Sequence, residues 1–361
     1  MLELATVLAG PGVGMFLAEL GARVVKIEPP QGDVTRTWRQ PGESKSISAY
    51  FASVNWGKES IVLDFNQDAD RNLFYKLLRE ADILLSSYKK GDDLKFGLQP
   101  DALLEQNPKL IIGRISGYGQ EQDRVAYDAV LQAETGYMYM NREADASYIK
   151  MPVALIDVLA AHQLKEGILL KLLQRSTGGS GGIVDVSLYD TAISSLSNQA
   201  TNWLQAGLDP KPLGTEHPNI FPYGTLFQSL DGIDFIVALS TNRQFYAFCD
   251  IIGFVPSAEL HGSNPLRVQN RHSLGDALRE LVSGINWPFL ESEMSKAKLP
   301  FGKIRPVSEV FNDQKANELV YSNGFLKGLK QAVFQEKAGL SPPPELDAHR
   351  AAILEWLEQL P

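Results

Sequence analysis

Short apolar runs and amphipathic stretches alternate through the first half of the chain. Residues 24–28 (VVKIE), 60–64 (SIVLD), 83–85 (ILL) and 110–115 (LIIGRI) are rich in aliphatic and β-branched side chains. They predict buried strands. Between them, residues 68–81 place Leu73, Phe74, Leu77 and Leu78 at helical spacing. Strands separated by helices predict a parallel sheet covered on both faces. A long helix is predicted from about Asp157 to Arg175, stopped by the glycine-rich residues 176–182 (STGGSGG). Residues 183–187 (IVDVS) read as the next strand, and Asp190 as the cap of a further helix.

The texture then changes. Gly207, Pro210, Pro212, Gly214, Pro218, Pro222 and Gly224 mark a long irregular connection. Residues 225–305 predict a second, smaller unit that opens with a hairpin, 225–229 and 234–238 around Asp231 and Gly232. The remainder reads as helical, with prolines at 342–344 and a last helix ending at Leu360. The predicted division is a large α/β domain from 1–200 plus 310–361 and a small domain from 225–305. Linkers fall at 201–224 and 306–309.

Composition narrows the function classes. With 361 residues, 44% hydrophobic and 21% charged, the chain is globular. Its net charge of −9 argues against nucleic-acid and anionic-membrane binding, and an anionic ligand would need a local group of cations. No run of 18 apolar residues predicts a membrane span, and the first residues lack a signal-peptide pattern. The single cysteine, Cys249, permits no intramolecular disulfide and fits a reducing cytoplasm. Its neighbours Phe245, Phe248, Ile251 and Ile252 mark it as core and not as a nucleophile. Five scattered histidines, with no HxxxH or HExxH spacing, predict no protein-ligated metal.

Two glycine clusters stand out. Residues 9–14 (AGPGVG) follow a predicted strand and open a helix from Met15, a place where backbone N–H groups can meet a phosphate ligand. The dinucleotide fingerprint fails there, because its third glycine would fall on Met15 and Pro11 stiffens the turn. Residues 178–182 lack the Lys-Ser/Thr pair of a P-loop and read as a turn.

An ordered set of segments resembles the family III CoA-transferases. The set comprises 8–11 (LAGP), 20–28 (LGARVVKIE), Gly32-Asp33, Asn55 with Gly57-Lys58, Leu63-Asp64 and 96–98 (FGL). It continues through Asn107-Pro108, 115–119 (ISGYG), 127–132 (YDAVLQ), Thr177-Gly178, 184–187 (VDVS), 217–219 (HPN) and 306–310 (PVSEV). It covers nearly the whole chain, which starts later than is usual for the family. The resemblance implies a Rossmann-like parallel sheet, a smaller α+β domain and an interlocked homodimer. It also implies acyl-CoA and a small carboxylic acid as substrates, with no prosthetic group.

The resemblance places a catalytic aspartate in residues 152–161, where Asp157 is the sole carboxylate. Asp157 is unusual by itself, since it follows the apolar run 151–156, where an unpaired carboxylate is costly. At a helix N-terminus it would gain hydrogen bonds, and the dipole would favour its ionised form. On spacing alone it also reads as a plain N-cap. Attack by Asp157 on a thioester would give an anhydride and then an enzyme-bound thioester. The resemblance further implies that a glycine-containing loop, here about His217 to Gly224, covers this site.

For CoA, the resemblance assigns Val7, Leu8, Ala9, Lys58, Ser87, Tyr88, Lys95 and Tyr118, and Lys89 and Lys90 are further cations in reach. Lys95 stands where the family has arginine, Ser87 where it has asparagine, and Glu59 where it has a basic residue. The related α-methylacyl-CoA racemases carry a His-Asp pair where this chain has Tyr127-Asp128. A tyrosine with an ordinary pKa near 10 is a poor replacement for that histidine. The expectation is therefore a CoA-transferase. An acyl-CoA racemase and a catalytically silent CoA-binding paralogue are the alternatives.

Overall fold

The computed structural model describes residues 1–43, 47–88, 91–143, 145–334, 336 and 338–360. They form two compact units, one of residues 1–135, 151–197 and 313–361, the other of 136–150 and 198–312.

The first unit is built on a parallel sheet of six strands: β1 (Leu2–Glu3), β2 (Val24–Glu28), β3 (Lys58–Val62), β4 (Ile83–Ser86), β5 (Ile111–Ser116) and β6 (Gly182–Ser187). Their order is β3-β2-β1-β4-β5-β6, and every pairing is parallel. Every residue of β2 is buried, as expected of a strand covered on both faces. The helix Asp68–Arg79 buries Phe74, Leu77 and Leu78. It carries Asp68 and Asp70 in its first turn and Lys76 and Arg79 in its last, which complements its dipole. The long helix Leu155–Ser176 buries a stripe of Ile156, Ala160, Ala161, Leu164 and Ile168. It settles close onto β5 because Gly113 has no Cβ; one there would lie 2.9 Å from the side chains of Ile168 and Leu85.

β3 is an edge strand. The end of the chain runs beside it: Val62 N donates to Asp347 Oδ1 at 2.7 Å, Ser60 N to His349 Nδ1 at 3.2 Å and His349 N to the Ser60 carbonyl at 3.0 Å.

The second unit has an antiparallel sheet of β7 (Tyr223–Gln228), β8 (Asp234–Ala238) and β9 (Phe301–Lys303). Its core gathers Phe221, Phe227, Phe235, Phe245, Phe248, Leu278 and Trp287. Cys249 is fully buried in that core, and burial pushes its thiol up to about 12.

Several sequence expectations are corrected. Residues 9–14 are not a turn before a helix: they are its first turns, in the helix Ala9–Glu19. Gly14 is needed there because a Cβ would lie 1.8 Å from Glu3 Oε2. Ser187, not Asp190, caps the following helix; its Oγ accepts from Asp190 N at 2.9 Å. The tail is not wholly helical, since β10 (Val320–Asn323) and β11 (Leu326–Leu329) form a hairpin in the first unit. The second unit is larger than 225–305, taking in 136–150 and extending from 198 to 312. Among the described residues no helix is long and apolar enough to cross a membrane.

Candidate active site

In an open parallel sheet the strand order reverses at one point, and a crevice opens there at the carboxyl ends of the strands. Here the reversal lies between β1 and β4. A crevice of about 380 Å³ occupies that place, and its wall is drawn from the first unit alone. The turn after β1 contributes Thr6, Val7, Leu8 and Ala9, the end of β4 contributes Ser87 and Tyr88, and the loop after β5 supplies Ser116 to Tyr127 in part. Asp157, in the first turn of its helix, completes it.

The turn after β1 is strained. Val7 sits at φ 70°, a left-handed conformation that a β-branched residue rarely adopts and that costs about 1–3 kcal/mol. Buried polar partners hold it. Val7 N donates to Asp33 Oδ2 at 3.3 Å, and Thr6 N donates to Ser87 Oγ at 3.2 Å. Asp33 is fixed by Thr35 and by Lys26, whose ammonium also bridges Glu3 and the Ala5 carbonyl. Burial would raise the Asp33 carboxyl, but the Lys26 charge and the Thr35 hydrogen bonds hold it below its ordinary value.

Asp157 is buried, and among the described residues its carboxylate has no hydrogen-bond partner. Burial, followed by repulsion from Asp128, pushes it up to about 7. This reverses the expectation of a capped, dipole-stabilised anion. Asp157 is not the cap; it stands three residues past Ala154, the N-cap position, which offers no side-chain bond. Asp128 does the holding instead. Its Oδ1 accepts from Ile156 N at 2.8 Å, and its Oδ2 accepts from Gln132 Nε2 at 2.6 Å. Gln132 Oε1 in turn accepts from Met151 N at 2.7 Å. These bonds fix the segment that leads into Asp157. The result is a carboxylate that water barely reaches, poised between its two protonation states near neutral pH. Such a group is a capable nucleophile or acid/base.

The structure brings Val7, Leu8, Ala9, Ser87, Tyr88 and Asp157 together. It does not bring Lys58 there. Lys58 is fully buried, and its ammonium donates to Glu3 Oε1 and Oε2, the Pro11 carbonyl and Asn55 Oδ1, all within 2.9 Å. With those acceptors it has no donor left for a phosphate, and burial lowers it to about 8 in spite of Glu3. Lys95 is exposed on the short helix Asp92–Phe96, with its ammonium 4.9 Å from the Phe96 ring centroid, and is absent from the crevice wall. Tyr118 also stands off that wall: its hydroxyl donates to Glu134 Oε2 at 2.6 Å and its ring packs on Tyr189. Lys89 and Lys90 lie outside the described residues. The loop from His217 belongs to the second unit, where His217 N donates to the Tyr223 carbonyl at 3.0 Å.

Sequence reasoning missed the supporting role of Asp128 and Gln132. Their spacing of four within an otherwise apolar helical stretch was the available signal.

Residues 1–353 match the family model described as CoA-transferase family III. The chain is 32% identical to the succinate–glutarate CoA-transferase of Agrobacterium fabrum over 100% of this chain and 95% of that protein. It is 31% identical to the acetyl-CoA:oxalate CoA-transferase of Acetobacter aceti, over 98% and 93%. A crystal structure of a CAIB/BAIF family protein from Brucella suis superposes with a TM-score of 0.86 and 36% identity, over 99% of this chain and 97% of that one.

Proposed function

The chain belongs to CoA-transferase family III, and from that premise we propose that it moves CoA between two short dicarboxylic acids with Asp157 as nucleophile. The observation that carries the reading is the placement of Asp157, a buried and unbonded carboxylate at the switch point of the sheet. Its oxygen attacks the acyl-CoA carbonyl and the C–S bond breaks, giving a mixed anhydride and CoA thiolate. The thiolate attacks the aspartyl carbonyl, which expels the donor acid and leaves an Asp157–CoA thioester. The acceptor carboxylate attacks that thioester, forming a second anhydride and thiolate. Attack of the thiolate on the acceptor's carbonyl yields the new acyl-CoA and frees Asp157. One difficult exchange becomes four easier steps.

Burial supports the nucleophile's role, because a carboxylate that keeps little exposure sheds few waters before it reacts. Val7, Leu8, Ala9, Ser87 and Tyr88 are the residues we assign to CoA. The substrate class follows from the named relatives, whose acids are succinate, glutarate and oxalate. Exposed Leu169, Leu170 and Leu173 on the long helix support a homodimer.

Mass spectrometry after mixing the protein with succinyl-CoA, with hydroxylamine as trap, tests the mechanism. A hydroxamate on Asp157, absent from Asp157→Ala, is the expected result. CoA exchange with no adduct at that position would refute it.

A further inference from the structure

Among the described residues, Arg124 is the one cationic side chain on the crevice wall. The other charged groups there, Asp92 and Asp157, are acids. Arg124 is anchored from one side. Its Nη2 donates to Glu134 Oε1, and its guanidinium carbon lies 4.5 Å from the centroid of the Tyr118 ring. The Tyr118 hydroxyl secures the other Glu134 oxygen. These two donors hold the Glu134 carboxyl below its ordinary value, so it stays an anion and a firm anchor. The rest of the guanidinium fork has no protein acceptor among the described residues, and 55% of the side chain is exposed. On the same loop Gln120 also lines the crevice, and its Nε2 is buried without a partner.

We propose that Arg124, with Gln120, recognises the free carboxylate of a dicarboxylic substrate whose other carboxyl group reacts at Asp157. The inference rests on the transferase reading and assigns the residue that gives it its substrate class. A diacid bound with one end at Asp157 brings a second negative charge beside a wall whose other charged groups, among the described residues, are acids. That charge needs a cation, and arginine's planar fork matches a carboxylate with two parallel hydrogen bonds. CoA carries anionic oxygens too, but its phosphates are separated from the sulfur by the whole pantetheine arm. The far carboxylate of a short diacid lies only a few bonds from the reacting carbon, within the same crevice as Asp157.

The test compares glutarate with valerate, acids of equal chain length, as CoA acceptors from succinyl-CoA. For Arg124→Gln, kcat/KM for glutarate is expected to fall roughly 10- to 100-fold while that for valerate changes by less than about 3-fold. Arg124→Lys keeps the charge and loses the fork, so it recovers part of the glutarate activity. A second arm replaces succinyl-CoA by succinyl-pantetheine, which lacks the phosphates. If the Arg124→Gln defect vanishes with that donor, the residue serves CoA phosphate and the inference is overturned. An equal loss for both acids overturns it as well, with circular dichroism of the variant separating misfolding from lost recognition. If the wild type transfers CoA to neither acid, the transferase reading fails with it; transfer to both with an unchanged ratio in the variant overturns this inference alone.

Discussion

Replacing Asp157 with asparagine removes the proposed nucleophile and should also stabilise the protein, in a way that depends on pH. The folded chain holds this carboxyl at about 7, whereas its ordinary value is 3.8. The folded state therefore binds the proton more tightly than the unfolded state. Well below pH 3.8 both states are protonated, and the group costs nothing. As pH rises toward 7, the unfolded carboxyl ionises freely while the folded one resists, so stability is lost across that window. Each pKa unit corresponds to 1.36 kcal/mol, and a shift of roughly 3 units amounts to about 4 kcal/mol. Asparagine keeps the shape and cannot ionise. The stability difference between Asp157→Asn and wild type should be about 0.5 kcal/mol at pH 4 and climb to about 4 kcal/mol by pH 7. Above that it should stay level. Urea unfolding of both proteins at half-unit pH steps from 4 to 8, followed by tryptophan fluorescence and circular dichroism, measures it. Because only the difference is read, titrating groups that do not interact with Asp157 cancel. A difference that does not change with pH would refute the argument, since it would mean that burial does not disfavour the charged form.

The same carboxyl should govern the rate. kcat/KM for succinyl-CoA is expected to rise about tenfold per pH unit below 7 and level off above it, as the nucleophile ionises. Asp128→Asn removes the neighbouring charge and should move that bend to lower pH; a bend that stays put would separate Asp128 from the tuning of Asp157. Lys58→Met leaves Glu3 buried beside Lys26 alone and should cost about 3–5 kcal/mol in unfolding experiments. The KM for acyl-CoA of the folded variant should stay within about 2-fold, and a large rise with normal stability would return Lys58 to the phosphate site.

Much of the first unit was legible because β2, β4 and β5 are largely buried and appear as short runs rich in aliphatic residues. The helix Asp68–Arg79 was legible because one face is apolar and both ends carry the matching charges. Asp157 could be singled out because a carboxylate inside an apolar run demands an explanation. What the chain could not disclose is which lysine faces solvent. Lys58 and Lys95 look alike in sequence, yet one closes a buried ion network and the other rides on an exposed helix. That difference arises from Glu3, 55 residues away, whose partnership has no local trace. Arg124 escaped notice for a related reason: its use depends on Glu134 and Tyr118, which only the fold brings to it. The hairpin of β10 and β11 was hidden because its strands are four residues each and mostly exposed, with little apolar alternation to read.

The seam between β3 and residues 347–349 has a consequence for how the protein is made. β3 is complete by residue 62, but the side chain that bonds Val62 lies 285 residues further along the chain. During synthesis this edge must wait, unguarded, until residues 347–349 emerge from the ribosome. An uncovered parallel edge is a template for pairing with another chain. Products cut short before Asp347 would keep the crevice residues and Asp157, yet carry a bare edge into the crowded cell. Residues 347–349 thus act as a seal that closes over β3 only after the crevice has been built.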